Sequence, residues 1–235
     1  MACVDVHSHI LPGIDDGSRN GEQSLTMLAE EAKQGITHVV ATPHFYPRYS
    51  TPERFLSKRA AAARVLERAM AGRTDLPQII LGAEVHYFPG IGESEYLSRF
   101  VIGNTRLVLI EMPMPPWTEA MYRDLENVYL FQGLTPVIAH VDRYISPFHT
   151  YGIPKRLERL PVLVQANAEF FLQKATAGMA MRMLRKGRIH LLGSDCHNLS
   201  DRAPNLGEAH KAIVQKLGKS ALSEIRRFEA ILCGE

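Results

Sequence analysis

Seven short apolar segments alternate with amphipathic stretches along the chain, and this alternation limits the possible folds more than any other feature. The predicted strands are Cys3–His7, Thr37–Thr42, Gln78–Val85, Arg106–Glu111, Pro136–Val141, Val162–Ala166 and Ile189–Ser194. Helical periodicity predicts helices between them, at Glu22–Gln34, Pro52–Ala71, Thr118–Gln132, Ala168–Lys186 and Ala203–Leu217. Several strands are apolar without alternation, which is typical of parallel strands covered on both faces. The pattern predicts an α/β fold with repeated crossovers, either a closed barrel or an open sheet.

Bulk properties narrow the class of protein. No linker, repeat or low-complexity tract divides the 235 residues, so we expect one domain over residues 1–235. The net charge of +2, from 27 basic and 25 acidic residues, gives no general attraction to nucleic acid or anionic lipid. No apolar run approaches the roughly 20 residues that cross a bilayer, and the start of the chain lacks the pattern of a secretion signal. We therefore expect no nucleic-acid partner, no stable membrane insertion and a cytoplasmic location.

The three cysteines, Cys3, Cys196 and Cys233, lie far apart and form no C-x-x-C pair. Neither a disulfide framework nor a thiolate zinc site is expected. Cys196 and Arg202 formally fit the C-x5-R signature of cysteine-dependent tyrosine phosphatases. That chemistry needs a loop of backbone amides around the phosphate and an acidified thiol, whereas this loop has no glycine and contains Asp201. We interpret the match as chance.

Most predicted strands end in residues that bind metals: His7 and His9 with the turn Asp15-Asp16, then His44, Glu84, Glu111, His140, and the pair Asp195 and His197. Residues two apart on a strand face the same side, so each pair can point at one centre. In barrels and open parallel sheets, catalytic residues gather at the carboxyl ends of strands. A single histidine there is more often a packing or surface residue, but repetition at so many strand ends favours a metal site.

The mixture of ligands indicates the chemistry. Five histidines with four carboxylates and no thiolate suit Mn, Fe or Zn better than Mg or Ca. So many ligands exceed the needs of one ion and suggest two or three. Neighbouring metals generate hydroxide near neutral pH and neutralise negative charge, which favours the hydrolysis of phosphate esters.

In order and context, these motifs resemble the PHP (polymerase and histidinol phosphatase) superfamily, and within it the capsule and exopolysaccharide protein-tyrosine phosphatases of bacteria. The matching segments are His7-x-His9, Asp15-Asp16-Gly17, Thr42-Pro43-His44, Gly82-Ala83-Glu84, Leu109-Ile110-Glu111, Ile138–Tyr144 and Gly193–Asn198. The resemblance implies a distorted seven-stranded (β/α) TIM-like barrel with three divalent ions, most often Mn2+, with Fe or Zn as other options.

The resemblance also implies roles for individual residues. The nine ligands divide into three sets: His7, His9, Glu84 and Asp195; Glu84, Glu111 and His140; and Asp16, His44 and His197. Arg143 and Arg202 match the family's phosphate-binding arginines, and a guanidinium fork suits phosphate oxygens. A hydroxide bridging the metals is then expected to attack phosphorus.

Three neighbouring features receive no ligand role. His86 follows Glu84 by two residues, where relatives usually have an aromatic residue. Asp5 precedes His7 by two, and we expect it to orient a ligand. The loop Met112–Trp117 is either a rim for an aromatic substrate group, with Trp117 as a stacking surface, or a rigid turn.

The leading hypothesis is a manganese-dependent phosphatase acting on a phosphotyrosine-bearing protein, a bacterial tyrosine kinase of polysaccharide export. An alternative in the same superfamily is a small-molecule phosphatase of the histidinol-phosphate type. A more distant alternative is an amidohydrolase or TatD-like metal hydrolase, although no motif strand supplies the lysine that a bridging carbamate needs. A metal-bound scaffold without activity is disfavoured because no ligand position is lost.

Overall fold

The computed structural model describes residues 2–234, which contain nine parallel strands and eight α-helices. The strands are β1 (Val4–Ser8), β2 (His38–Ala41), β3 (His44–Phe45), β4 (Gln78–Leu81), β5 (Glu84–His86), β6 (Leu107–Glu111), β7 (Thr135–Ile138), β8 (Leu163–Asn167) and β9 (Leu191–Gly193). The helices are α1 (Gly21–Lys33), α2 (Pro52–Met70), α3 (Glu119–Gln132), α4 (Ile153–Leu157), α5 (Glu169–Leu172), α6 (Ala177–Arg185), α7 (Leu206–Leu217) and α8 (Ser223–Cys233). Parallel pairing with intervening helices confirms the predicted α/β class.

The strands form a three-stranded sheet in the order β1-β2-β4 and a six-stranded sheet in the order β3-β5-β6-β7-β8-β9. The chain just after β9 returns to β1, where the Asp195 amide donates to the His7 carbonyl at 2.8 Å and the His9 amide donates to the Cys196 carbonyl at 2.9 Å. The result is a curled parallel sheet. The predicted count of seven strands is not confirmed.

The strand count differs because two predicted strands are interrupted. Thr37–Thr42 covers only β2, and β3 follows separately at His44. The predicted strand Gln78–Val85 is divided into β4 and β5 at Gly82 and Ala83. A Cβ at Gly82 would lie about 3.3–3.4 Å from side chains of Ile102, Thr42 and Val40, so the backbone is packed closely there. Hydrophobic periodicity does not register an interruption of one or two residues.

Capping residues explain where several helices begin. The Asn20 side chain accepts a hydrogen bond from the Gln23 amide at the start of α1, and Thr51 does the same for Arg54 at the start of α2, just before Pro52. These are ordinary N-cap contacts, each contributing about 1 kcal/mol. The predicted helix Ala168–Lys186 is wrong as a single element, because it is divided into α5 and α6. The sequence analysis also missed α4 and α8.

Two apolar cores hold the strands in place. The larger one lies between the strands and the helices, and includes Met27, Leu66 and Phe100. The smaller one is built mainly by strand residues such as Val6 and Val137, all removed from solvent. Burying one side chain of this size contributes about 1.5–3 kcal/mol, so the strands form a rigid base for the residues that follow their carboxyl ends. Within the described residues, no helix combines the length and apolar character that a membrane crossing requires.

Candidate metal centre

The carboxylate of Glu84, at the start of β5, lies in the middle of a cluster of histidines. Its Oε2 atom is 3.2 Å from His7 Nε2, 3.3 Å from His9 Nε2 and 2.9 Å from His44 Nδ1. Its Oε1 atom is 2.7 Å from His140 Nε2. Four predicted ligands from three chain segments therefore meet one buried carboxylate, which is the arrangement that a bridging ligand requires.

A second buried carboxylate, Asp195, lies beside the first. Its Oδ1 atom is 3.6 Å from His7 Nε2 and 3.5 Å from His9 Nε2. The two predicted arginines reach the same group: Arg143 Nη2 is 2.6 Å from Oδ2, and Arg202 Nη2 is 2.8 Å from Oδ1. Both guanidinium groups are about one-third exposed, so they form the border between the cluster and solvent.

The remaining predicted ligands complete the cluster. Asp16 Oδ1 lies 3.5 Å from both His44 Nε2 and His197 Nε2, and Glu111 Oε1 lies 3.7 Å from His140 Nε2. All nine predicted ligands are thus brought together. Three groups have potential ligand atoms that all lie within 4.8 Å of one another: His7, His9 and Asp195; His44, Glu84 and Glu111; and His9, Asp16, His44 and His197.

These groups overlap with the division expected from the family without reproducing it. His9 belongs to two groups and His44 to two, whereas the expected sets shared only Glu84. His140 contacts both Glu84 and Glu111, as expected. The assignment of each ligand to one of three ions stays a prediction.

Backbone irregularities aim several of these side chains. His140 and Asp195 have φ values of 30° and 54°, in the left-handed region that non-glycine residues rarely adopt. The register between β1 and β2 shifts after Asp5: Asp5 pairs with Val39 and Ser8 pairs with Ala41, so β1 contains one extra residue. Such a bulge re-aims the side chains beside it, and it lies directly at His7.

The residues present fit metal ions. Four buried side-chain atoms of the cluster make no hydrogen bond of suitable geometry with a described residue, although two of them lie 2.9 Å apart; the four are His44 Nδ1, Glu84 Oε2, His140 Nδ1 and His197 Nε2. Buried polar atoms normally have partners. Imidazole nitrogens and carboxylate oxygens that converge without hydrogen bonds are what a group of divalent ions requires.

Three supporting residues hold the ligands in orientation. Asp15 Oδ2 accepts a hydrogen bond from His9 Nδ1 at 2.8 Å, and Gln165 Oε1 accepts one from the His140 amide at 2.6 Å. Asn167 Nδ2 donates to Asp195 Oδ2 at 3.0 Å. Partners of this kind fix the ligand geometry and tune its basicity. Gln165 and Asn167 were not predicted, since amides are not typical metal ligands, although Asn167 ends a strand at the same edge.

Asp5 supports the backbone instead of a ligand side chain. Its carboxylate accepts hydrogen bonds from the amides of His7 and Ser194 and from the Ser194 hydroxyl. It therefore joins β1 to the chain just after β9, which carries Asp195. Asp5 therefore orients the ligand segments, as expected, but through hydrogen bonds to their backbone amides.

Charges within the cluster are strongly coupled. Burial alone would lower the pKa of His9, but the hydrogen bond to Asp15 and the nearby carboxylate of Glu84 outweigh burial and raise it to about 10. Burial would raise the pKa of Asp15, yet His9 holds it at about 2. Burial and the neighbouring His9 lower the pKa of His197 to about 4. The carboxylates and imidazoles of the cluster therefore determine one another's protonation.

Comparison with known proteins agrees with this geometry. The family model described as "Capsular polysaccharide synthesis, CpsB/CapC" matches residues 3–231. The chain belongs to the CpsB/CapC family. The tyrosine-protein phosphatase CpsB of Streptococcus agalactiae serotype III (strain NEM316) is 30% identical over 232 residues, 94% of each chain. The tyrosine-protein phosphatase YwqE of Bacillus subtilis (strain 168) is 28% identical over 225 residues, 92% of this chain and 85% of its own.

A solved structure supports the fold. Described as YwqE from Bacillus subtilis and CpsB from Streptococcus pneumoniae, "unique metal-dependent tyrosine phosphatases", it superposes with a TM-score of 0.83 at 22% identity and covers 98% of this chain and 94% of its own. The family resemblance inferred from the motifs is confirmed.

In this CpsB/CapC protein, Cys196 is unsuited to act as a nucleophile. Its side chain is fully buried, and Sγ lies 3.8 Å from Glu31 Oε1. Burial, together with the negative charges of Glu31 and Asp5, raises the pKa of the thiol well above its ordinary value. A thiol in that state is not a nucleophile. Its match with Arg202 is therefore chance, as predicted.

The aromatic residues beside the metal centre do not include Trp117, which was one of the two predictions for the Met112–Trp117 loop. Trp117 is buried, its Nε1 donates to the Pro113 carbonyl at 2.7 Å, and its ring packs against Tyr144. The ring of Trp117 is thus enclosed by the protein, so the expectation that it offers a stacking surface to the substrate was wrong. The aromatic wall is formed instead by Tyr46, whose ring centroid lies 5.0 Å from that of His44 and 5.3 Å from that of His86.

A cavity of about 540 Å³ opens beside this wall. It is lined by Tyr46, Pro47, Arg48, Tyr49, His86, Tyr87, Phe88 and Pro89. His86 connects it to the cluster, because His86 Nδ1 lies 3.1 Å from Glu111 Oε2. A larger cavity, about 730 Å³, lies between α6 and α7, away from every predicted ligand, so size alone does not mark the functional site.

Proposed function

We propose that this protein is a manganese-dependent phosphatase that hydrolyses phosphotyrosine in proteins. Its physiological partner in this proposal is a bacterial tyrosine kinase of capsular or exopolysaccharide synthesis, and it acts in the cytoplasm. One observation carries the proposal: the two arginines that suit phosphate lie directly against Asp195, within the cluster of nine potential metal ligands. Relatives of the same family are named tyrosine-protein phosphatases.

The ligands are proposed to hold three Mn2+ ions. His7, His9, Glu84 and Asp195 would hold one ion, Glu84, Glu111 and His140 a second, and Asp16, His44 and His197 a third. Bound ions of this kind lower the pKa of water and neutralise charge on a phosphoryl group. The chain's own contribution is the orientation of the ligands by Asp15, Gln165 and Asn167.

Arg143 and Arg202 are proposed to bind the phosphate. Arg143 donates a hydrogen bond to Asp195 and Arg202 forms an ion pair with it, and both are exposed enough to turn toward an anion at the mouth of the site. Two planar guanidinium groups can each donate two hydrogen bonds to phosphate oxygens. Because the Asp195 carboxylate would otherwise repel the phosphate, the arginines are placed where that repulsion is largest.

The aryl group is proposed to lie along Tyr46 and His86, in the cavity beside Glu111. Offset or edge-to-face packing of a phenyl ring on such a wall is favourable by about 0.5–1.5 kcal/mol beyond burial. A phenolate leaves with a pKa of roughly 10 and needs less protonation than an alkoxide. The chain therefore does not need a separate general acid at the leaving oxygen.

The two sheets are proposed to be one distorted seven-stranded barrel. β2 with β3 and β4 with β5 would each represent one interrupted strand, and the hydrogen bonds between the Asp195 and His9 segments would close the ring. This arrangement would place every ligand at one mouth of the barrel.

Turnover measurements test the function. Metal-stripped protein is loaded with Mn2+, and its kcat/KM is measured for a phosphotyrosine peptide, a phosphoserine peptide of the same sequence and histidinol phosphate. Preference for the phosphotyrosine peptide, lost in the Glu84→Gln protein, supports the proposal. Preference for histidinol phosphate would replace it with the small-molecule alternative, and turnover without added metal would exclude the metal mechanism.

A further inference from the structure

A second group of metal-binding side chains lies at the opposite end of β1. Cys3 directly precedes the strand, His210 is on α7 and Glu229 is on α8. Their potential ligand atoms all lie within 4.8 Å of one another. His9 lies six positions after Cys3 along an extended chain, about 20 Å away, so this group is separate from the candidate metal centre.

The distances fit tetrahedral coordination. Cys3 Sγ lies 3.5 Å from His210 Nδ1. With Zn–S near 2.3 Å and Zn–N near 2.0–2.1 Å, two tetrahedral ligand atoms lie about 3.5–3.6 Å apart. The two atoms can therefore hold a common ion without moving.

Glu229 gives the independent evidence for a ligand. Its side chain is only 1% exposed, and neither carboxylate oxygen makes a well-aligned hydrogen bond with a described residue, although the Val4 amide lies close enough to lower the pKa of the carboxyl. The nearest cation, Arg226, stays 3.8 Å from Oε2 and donates to the Ala2 carbonyl at 3.0 Å. A buried carboxyl group in this state either stays protonated or coordinates a metal.

We propose that Cys3, His210 and Glu229 form a further metal site that takes a divalent ion of the zinc class, with water as the fourth ligand. One thiolate, one imidazole and one carboxylate are a borderline-soft set that selects Zn2+ over Mn2+. The catalytic ligands contain no thiolate and have the opposite preference. Cysteine spacing did not predict a thiolate zinc site, since spacing alone does not reveal ligands on distant helices.

The protonation of the empty site agrees with this proposal. Burial raises the pKa of Cys3 to about 12 and that of Glu229 to about 7, and it lowers the pKa of His210 to about 4. Without an ion, the three groups are therefore neutral in mildly acidic solution. The incoming divalent ion takes the place of the thiol and carboxyl protons, which are released to solvent, and the net charge of the group is unchanged. The bound ion would connect β1 to α7 and α8.

Cobalt provides a direct test, because a Co2+–thiolate bond gives a charge-transfer absorption that oxygen and nitrogen ligands do not give. Metal-stripped full-length protein is titrated with Co2+ after the catalytic site has been filled with Mn2+. We expect the thiolate band to appear and saturate near equimolar Co2+, and Zn2+ but not Mn2+ to remove it. Absence of the band in the wild-type protein would overturn the proposal.

Variants locate the thiolate. Cys3→Ala should abolish the band, whereas Cys196→Ser and Cys233→Ser should keep it, and a band that survives Cys3→Ala would overturn the proposal. Glu229→Gln should prevent saturation at equimolar metal, while Glu224→Gln, an exposed carboxylate on the same helix, should not. If Cys3→Ala does not fold, the wild-type and Glu229→Gln titrations decide. Mn2+-dependent phosphatase activity per folded molecule should be the same in Cys3→Ala and wild type.

Discussion

The two ends of β1 carry two polar clusters that differ in how their charges are compensated. At the carboxyl end, His7 and His9 lie among ionised carboxylates, and two arginines border the site. At the amino end, Cys3 lies among groups that burial keeps neutral. The first cluster has histidines and carboxylates that can bind metal ions and arginines that can bind an anionic substrate. The second is a smaller cluster whose ligands come from three distant parts of the chain.

Because of this difference, we expect substitutions at one end of β1 to affect activity and substitutions at the other end to affect stability. Changes at the carboxyl end should mainly affect turnover, because the ligands there are supported by Asp15, Gln165 and Asn167 within a rigid sheet. Changes at the amino end should mainly affect the attachment of α7 and α8 to β1. The following predictions test this separation, from the largest effect to the smallest.

Glu84→Gln should have the largest effect on turnover. The carboxylate meets four histidines, and loss of its charge should remove several kcal/mol of metal-derived stabilisation, about 10³-fold or more in kcat/KM. Phosphotyrosine-peptide turnover and bound Mn2+ are measured in the same preparations. Glu67→Gln, an exposed carboxylate on α2, is the control, and an equal loss there would contradict the expectation.

Arg202→Ala should lower kcat/KM by about 10²–10³-fold, the usual effect of removing one donor to a developing anion. Arg202→Lys should recover only part of the loss, since lysine keeps the charge without the planar fork. Inhibition by inorganic phosphate should weaken in parallel. Unchanged phosphate inhibition in Arg202→Ala would remove this arginine from the phosphate site.

Asn167→Ala should act through Asp195. Loss of a partner that orients a ligand typically lowers metal affinity or activity about 10–100-fold. The Mn2+ concentration for half-maximal activity should therefore rise more than kcat falls. Asn104→Ala, an exposed amide, should change neither. A fall in kcat without any change in Mn2+ requirement would assign Asn167 to the substrate instead.

Glu229→Gln should leave Mn2+-dependent turnover unchanged and alter stability with pH. Burial raises the pKa of Glu229 from 4.5 to about 7 in the folded protein, so its contribution to stability is present below about pH 4.5 and is lost as the pH rises through 7. In metal-stripped protein this loss is at most about 3 kcal/mol. Denaturant unfolding at several pH values, compared between wild type and Glu229→Gln, measures the difference. Identical pH profiles would show that the carboxyl is not held protonated.

Cys196→Ser should have the smallest effect on turnover, because the thiol faces Glu31 and not the substrate side. The variant should keep most of its metal-dependent activity, measured per folded molecule. Complete loss of turnover in a folded variant would favour a thiol mechanism.

The sequence predicted the residues that carry a chemical signature and missed those that act through geometry. His7, His9, Glu84 and Asp195 could be found because metal-ligand types recur at strand ends, where parallel sheets collect functional groups. Asn167 and Gln165 carry amides that occur everywhere, so their contacts became visible only in three dimensions. The division of Gln78–Val85 depends on close packing at Gly82, and the cluster of Cys3, His210 and Glu229 depends on the docking of α7 and α8. Neither leaves a local pattern.

The left-handed backbone at His140 and Asp195 has a consequence for how such a chain evolves. A non-glycine residue held in that conformation costs about 1–3 kcal/mol, whereas glycine adopts it freely. Selection for thermal stability alone would favour glycine at both positions and would leave a sturdier protein without two of its ligands. Selection for catalysis, and not selection for stability, therefore accounts for histidine and aspartate at these two positions.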